Sequence, residues 1–132
     1  MILRARHVSV SIERSPGDVY EFVVNAENLP KWASGLSGGI EQIHGQWVSQ
    51  SPMGRVVVRF AERNPFGVLD HDVTLPNGET VTNPVRVIPN GSGSLVTFTV
   101  FQREGMSEAA FEADSGTVRA DLQTLKQILE RR

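Results

Sequence analysis

His71 is the side chain best suited to move a proton near neutral pH, and the residues around it decide where it points. From Val68 to Leu75, the residues Leu69, His71, Val73 and Leu75 share one side of a period-two pattern. That apolar side predicts an imidazole directed inward, toward whatever the sheet covers. An inward imidazole needs a partner: a backbone or side-chain group in the core, a bound molecule, or a substrate with which it exchanges a proton. Asn83 shares its parity with Val81, Val85 and Val87, so a second polar group looks the same way. Its amide either recognises a ligand or holds the sheet edge beside Pro84. Asp114 and Ser115 come four and three residues before Val118, which puts them on the same helical stripe. A carboxylate there could orient His71. It would equally be favoured near the start of a helix that resumes after a break. Asp72 and Arg86 fall on the outward parity of their strands and read as solvent-facing.

Trp32, Trp47, Phe98, Met53, Met106 and Phe111 supply adaptable apolar surface, either as ordinary core or as the lining of a ligand pocket. Met53 and Met106 lie in loop-like segments and are predicted to close a cavity opening. Other chemistries lack their spacing. The glycines of 35–39 and 91–93 have neither the GxGxxG pattern nor the strand-then-helix setting of a phosphate loop. His7, His44 and His71 show no paired metal-ligand spacing, so neither a metal nor a cofactor is expected.

Composition narrows the classes further. The 132 residues are enough for one domain and too few for two cores. The absence of cysteine rules out a disulfide framework and a thiol nucleophile, and fits a cytoplasmic setting. With 13 basic against 15 acidic residues there is no positive excess to hold nucleic acid. No apolar run is long enough for a signal peptide or a membrane span.

The elements that must position these side chains follow from periodicity. Arg4 to Arg14 alternates, with Val8, Val10 and Ile12 on one side, as a half-buried strand does. Ser15-Pro16-Gly17-Asp18 then offers a cap, a first-turn proline and an early carboxylate, predicting a short helix to about Asn25. A second short helix or turn carries Lys31, Trp32 and Ala33. From Gly38 onward short alternating runs predict six further strands: 40–43, 46–51, 55–63, 68–75, 80–88 and 94–103. Asn77-Gly78 is the sharpest hairpin signal among them. Phe111, Val118, Leu122, Leu125 and Leu129 then form the stripe of a long amphipathic helix, with Ser107 as cap and Gly116 as its weak point, open to a break or kink.

This order predicts an α+β chain of the helix-grip type: a seven-stranded curved antiparallel sheet around a long C-terminal helix, with two short helices after the first strand. One long helix cannot fill a strongly curved sheet, so a cavity between them is expected. At this point the sequence resembles the SRPBCC superfamily, which includes START lipid-transfer domains and the birch-pollen-allergen fold, and within it the polyketide cyclase/dehydrase-like proteins. The carriers are the strand and cap from Val8 to Gly17, the turn from Asn28 to Trp32, the runs Val68 to Leu75 and Phe98 to Phe101, and Asp121 to Lys126. The resemblance implies an internal site for a small hydrophobic or aromatic molecule, in a carrier, sensor or sequestering protein, monomeric or homodimeric. The alternative it implies is a polyketide cyclase/dehydrase-like enzyme acting in the same cavity, with His71 as acid or base. It carries no catalytic residue over to this chain.

Overall fold

The computed structural model describes residues 1–131. The first strand, β1 (Ala5–Ile12), buries Val8, Val10 and Ile12 on one side and exposes His7, Ser9 and Ser11 on the other. Ser15 Oγ accepts the Asp18 N–H at 3.2 Å and opens α1 (Pro16–Val24), which buries Val19, Tyr20, Phe22 and Val23. One-turn 3-10 segments at 26–28 and 34–36 flank α2 (Leu29–Trp32). There follow β2 (Glu41–Ile43), β3 (Gln46–Ser51), β4 (Gly54–Phe60), β5 (His71–Thr74), β6 (Thr80–Asn83), β7 (Val85–Asn90), β8 (Gly93–Phe101) and α3 (Glu108–Glu130). No helix among the described residues is long and apolar enough to cross a membrane.

The α+β helix-grip class holds, but the strands among the described residues number eight, in two antiparallel sheets ordered β1-β8-β7 and β2-β3-β4-β5-β6. The expected strand 80–88 divides at Pro84. Proline has no N–H to continue a ladder. The chain therefore leaves β5, which β6 pairs, and joins β8, which β7 pairs, while Thr99 N–H donates to the Pro84 carbonyl at 2.9 Å. The strand expected at 68–75 is likewise shorter. Val68 makes only an isolated bridge to Arg86, and the regular pairing begins at His71.

Ser107 caps α3 as expected, accepting the Ala110 N–H at 3.1 Å. No break occurs at Gly116: the helix runs unbroken for 23 residues. A glycine costs a helix only about 1 kcal/mol, and the buried stripe of Phe111, Ser115, Leu122, Leu125 and Leu129 outweighs it.

That stripe packs chiefly on β1, and less on β8 and α2. Ion pairs Arg4–Glu108 and Arg6–Glu112 line one edge of the contact, and Lys126 Nζ donates to the Ser11 carbonyl at 2.7 Å on the other. Both guanidiniums also cover the Phe111 ring, at 5.0 and 4.7 Å. A helix about 10 Å across covers two strands spaced about 4.8 Å apart, and no more.

Two outcomes follow for α3. Leu125→Ala, at a fully buried position, is expected to lower unfolding free energy by about 2 to 5 kcal/mol in a denaturant titration. A chain ending at Gly116 loses Leu122, Leu125 and Leu129, bares β1 and β8, and is expected to aggregate, as light scattering would record.

Candidate functional site

Residues directly opposite in antiparallel strands share a face. Trp47 lies opposite Val58, Val58 opposite Val73, and Val73 opposite Val81. Phe60 lies opposite His71, and His71 opposite Asn83. Val58 and Phe60 are two residues apart, so both rows look to the same side, and Val58 in the core makes that the inner side. The rows are apolar but incompletely covered. Val58 and His71 are buried, whereas Trp47, Phe60, Val73, Val81 and Asn83 are half-buried. These strands are not among those on which α3 mainly rests.

Two clefts reach the rows. One, of about 430 Å³, lies between the end of α1 and strands β3 and β4, with Trp47, Val58 and Phe60 in its wall. The other, of about 270 Å³, is bounded by β6, the end of β8, Leu3 and α3, with Val81, Asn83, Val100 and Asp114 in its wall. His71 stands between them. Phe60, from the first cleft, lies with its ring 5.0 Å from the imidazole, and Asn83, from the second, approaches the far nitrogen. The Phe98 ring meets the imidazole edge-on at 6.0 Å.

The strand switch fixes the imidazole. A continued ladder would send the Val85 N–H to the Leu69 carbonyl, since Leu69 N–H already donates to the Val85 carbonyl at 2.8 Å. Instead Asp70 Oδ1 takes the Val85 N–H at 2.9 Å. The Leu69 carbonyl then accepts from His71 Nδ1 at 3.2 Å. A carbonyl only accepts, so Nδ1 carries the proton. Nε2 is left with a lone pair, toward which Asn83 Nδ2 points at 3.4 Å. Burial holds the imidazole below its usual titration range, which keeps this neutral tautomer. Arg86, pairing with Asp70 through Nε at 3.0 Å and Nη2 at 2.9 Å, holds that carboxyl below the ordinary carboxylate range.

A family model described as polyketide cyclase / dehydrase and lipid transport matches residues 6–130. The chain belongs to this family. Three solved structures resemble this member closely in fold. XoxI of Bacillus cereus is 19% identical with a TM-score of 0.74, over 95% of this chain and 94% of that one. Aha1 of Colwellia psychrerythraea, described as a dimer, is 15% identical with a TM-score of 0.75, over 98% and 97%. Ara h 8.0201 is 13% identical with a TM-score of 0.72, over 99% and 100%. At these identities the likeness establishes the fold alone. No curated protein matches the chain in sequence.

In this polyketide cyclase / dehydrase and lipid transport family member, the residues singled out from sequence fall into four groups. His71, Asn83 and Phe98 meet in one cluster, and Trp47 lies on the neighbouring inward row. Asp114 shares the smaller cleft with Asn83 but is exposed in the second turn of a continuous helix, neither against His71 nor at a helix start after a break. The polar side chain that meets the His71 ring is that of Asn83. Trp32, Phe111 and Met106 belong to the packing instead. Phe111 is fully buried beneath the two arginines, and Met106 is half-buried against the core. Trp32 is buried, and its Nε1 is the buried side-chain polar atom without a hydrogen-bond partner among the described residues. Met53 stands apart, 59% exposed at the β3–β4 turn and in the wall of neither cleft. Phe60 and Asp70 were missed as site residues. Phe60 shared the parity of Val56 and Val58, a signal that was available; nothing local marks Asp70 as the substitute for a ladder bond.

The buried neutral His71 makes stability depend on pH. Burial lowers its folded-state pKa below the ordinary imidazole value of 6.5, so the unfolded chain binds the proton first as pH falls. The contribution is therefore complete above pH 6.5 and is lost progressively below it, by up to about 1.4 kcal/mol per pH unit. His71→Leu is expected to show a flatter profile in this range. At neutral pH it loses about 1 to 3 kcal/mol, because the Leu69 carbonyl and the Asn83 amide lose their partner. Thermal unfolding from about pH 7.5 to about pH 5 measures both effects.

Proposed function

We propose that this chain binds a small hydrophobic or aromatic molecule against the inner face of the five-stranded sheet. The observation that carries the reading is the pair of inward rows, apolar and half-buried, on strands away from the main seat of α3. Half-buried Trp47, Phe60, Val73 and Val81 present apolar surface that a ligand can cover, at about 25 cal/mol for each Å² removed from water. The two clefts that reach them have volumes suited to part or all of a drug-sized molecule. Asn83 and His71 supply the polar contacts that orient it. Family membership supports the same class, and makes the protein a carrier, sensor or sequestering protein in this reading.

A second reading, a cyclase/dehydrase-like enzyme, is favoured by one feature of the same site. His71 Nε2 is kept unprotonated at neutral pH and meets only a long contact from an amide. A nitrogen in that state accepts a proton from a substrate carbon or hydroxyl, and Phe60 and Phe98 would hold the substrate near it.

Native mass spectrometry of freshly purified protein is expected to show a retained small molecule. Val73→Trp fills the space in front of the inward rows at a half-buried position, so it is expected to fold. It is also expected to lose N-phenyl-1-naphthylamine binding, followed by fluorescence titration, by about tenfold or more. Unaltered affinity in a folded Val73→Trp protein would move the site elsewhere. Turnover of the retained molecule by wild type, lost in His71→Gln, would establish the enzyme reading.

A further inference from the structure

A third cleft, of about 620 Å³ and larger than the two at the inward rows, lies remote from them on the outer surface where α1, the β4–β5 connection and β7 meet. Tyr20, Val87 and Pro89 stand in its wall, and Phe66 at its rim. Phe66 is 78% exposed and the neighbouring Ile88 49% exposed, two of the five most exposed large apolar side chains among the described residues.

The connection that displays Phe66 is held firmly. Asn64 Oδ1 accepts the N–H groups of Phe66 at 3.0 Å and Val68 at 3.1 Å. Its Nδ2 donates to the carbonyls of Glu62 at 3.0 Å and Val68 at 2.9 Å. Tyr20 Oη accepts the Asn64 N–H at 3.0 Å. Gly67, at φ +73°, comes so close to the Val87 carbonyl that a Cβ there would lie 2.1 Å from its oxygen. An aromatic ring kept in water on a fixed support loses little entropy when it is buried by a partner.

We infer that this face is a self-association surface, on which a second copy of the chain docks about a two-fold axis with each Phe66 entering the other copy's cleft. An isologous contact requires projection and recess on one surface, and Phe66 stands at the rim of its own recess. It also requires charge that complements itself. Glu21 and Arg63 supply both signs at the same cleft, 60% and 64% exposed, and already pair within the chain. A two-fold axis lets each carboxylate exchange to the opposite guanidinium. Pairing by strand addition is blocked, because Pro89 lacks an N–H and the Val87 N–H is taken by the Gly67 carbonyl at 3.0 Å. A lipid surface fits less well. The segments framing the cleft carry carboxylates at Asp18, Glu21 and Glu62 against guanidiniums at Arg14 and Arg63.

Sedimentation velocity of the full chain from about 10 µM to about 1 mM tests this, with circular dichroism as the check on folding. The wild type is expected to pass from monomer to dimer within the range. Phe66→Ser, at an exposed position, should raise the dissociation constant about tenfold or more. Glu21→Arg and Arg63→Glu alone should each be monomeric, and an equimolar mixture of the two should regain the dimer, since every cross-contact is again of opposite sign. A wild type monomeric throughout, a Phe66→Ser dimer of unchanged affinity, or a mixture that stays monomeric would overturn the inference. So would a monomeric wild type that floats with phosphatidylcholine vesicles through Phe66, because the occupant would then be a lipid surface.

Discussion

The width of one helix set against the spacing of strands governs this structure. The α3 stripe can bury itself on two strands, and it does so mainly on β1, with β8 beside it. Those two strands pair along the whole of β1, from Ala5 opposite Phe101 to Ile12 opposite Ser94, so the helix meets a firm and continuous surface. The surrounding ion pairs are exposed and contribute little by themselves; the burial of Phe111, Leu122, Leu125 and Leu129 dominates. A single helix thus satisfies one sheet and leaves the inner face of the other wanting cover. That shortage is the physical origin of the clefts at Trp47 and Phe60 and at Val81 and Asn83.

The second feature that shapes the site is the point where the chain changes sheets. Pro84 ends β6 and releases the chain to β8, which strands backbone groups that a straight ladder would have paired. Asp70 and His71 replace the missing partners, one taking the Val85 N–H and the other the Leu69 carbonyl. The imidazole therefore has a structural duty on one nitrogen. Its other nitrogen, unprotonated and facing Asn83, remains the polar feature of an otherwise apolar wall. The structural duty and the contact proposed for a ligand thus fall on opposite sides of one ring.

Much of this was legible in the residues. Alternation in β1, the Ser15 and Ser107 caps, the Asn77-Gly78 turn and the spacing of Leu122, Leu125 and Leu129 are local signals, and each marks the element found. Strand parity also turned His71 and Asn83 inward correctly. What parity cannot report is distance, so the pairing of His71 with Asn83 rather than Asp114 emerged only with the strand register. The break at Pro84 was legible in principle as a proline inside a strand, yet the apolar alternation from Val81 to Val87 continues across it. Gly116, the weak point of the long helix, produces no break, because tertiary burial on both sides overrides one weak residue. Met53 was read from its residue type and its loop-like segment, which together do not tell a turn tip from a lid.

The central claim, that a ligand lies on the inner face that α3 leaves open, is tested most directly by methyl-resolved NMR of the protein bound to N-phenyl-1-naphthylamine. Intermolecular nuclear Overhauser effects are expected from the probe to the methyls of Val58, Val73 and Val81 and to the Trp47 indole, with none to Val8, Val10 or Val96 beneath α3. Contacts confined to Val8, Val10 and Val96, or to outward-facing residues such as Ile88, would contradict the account.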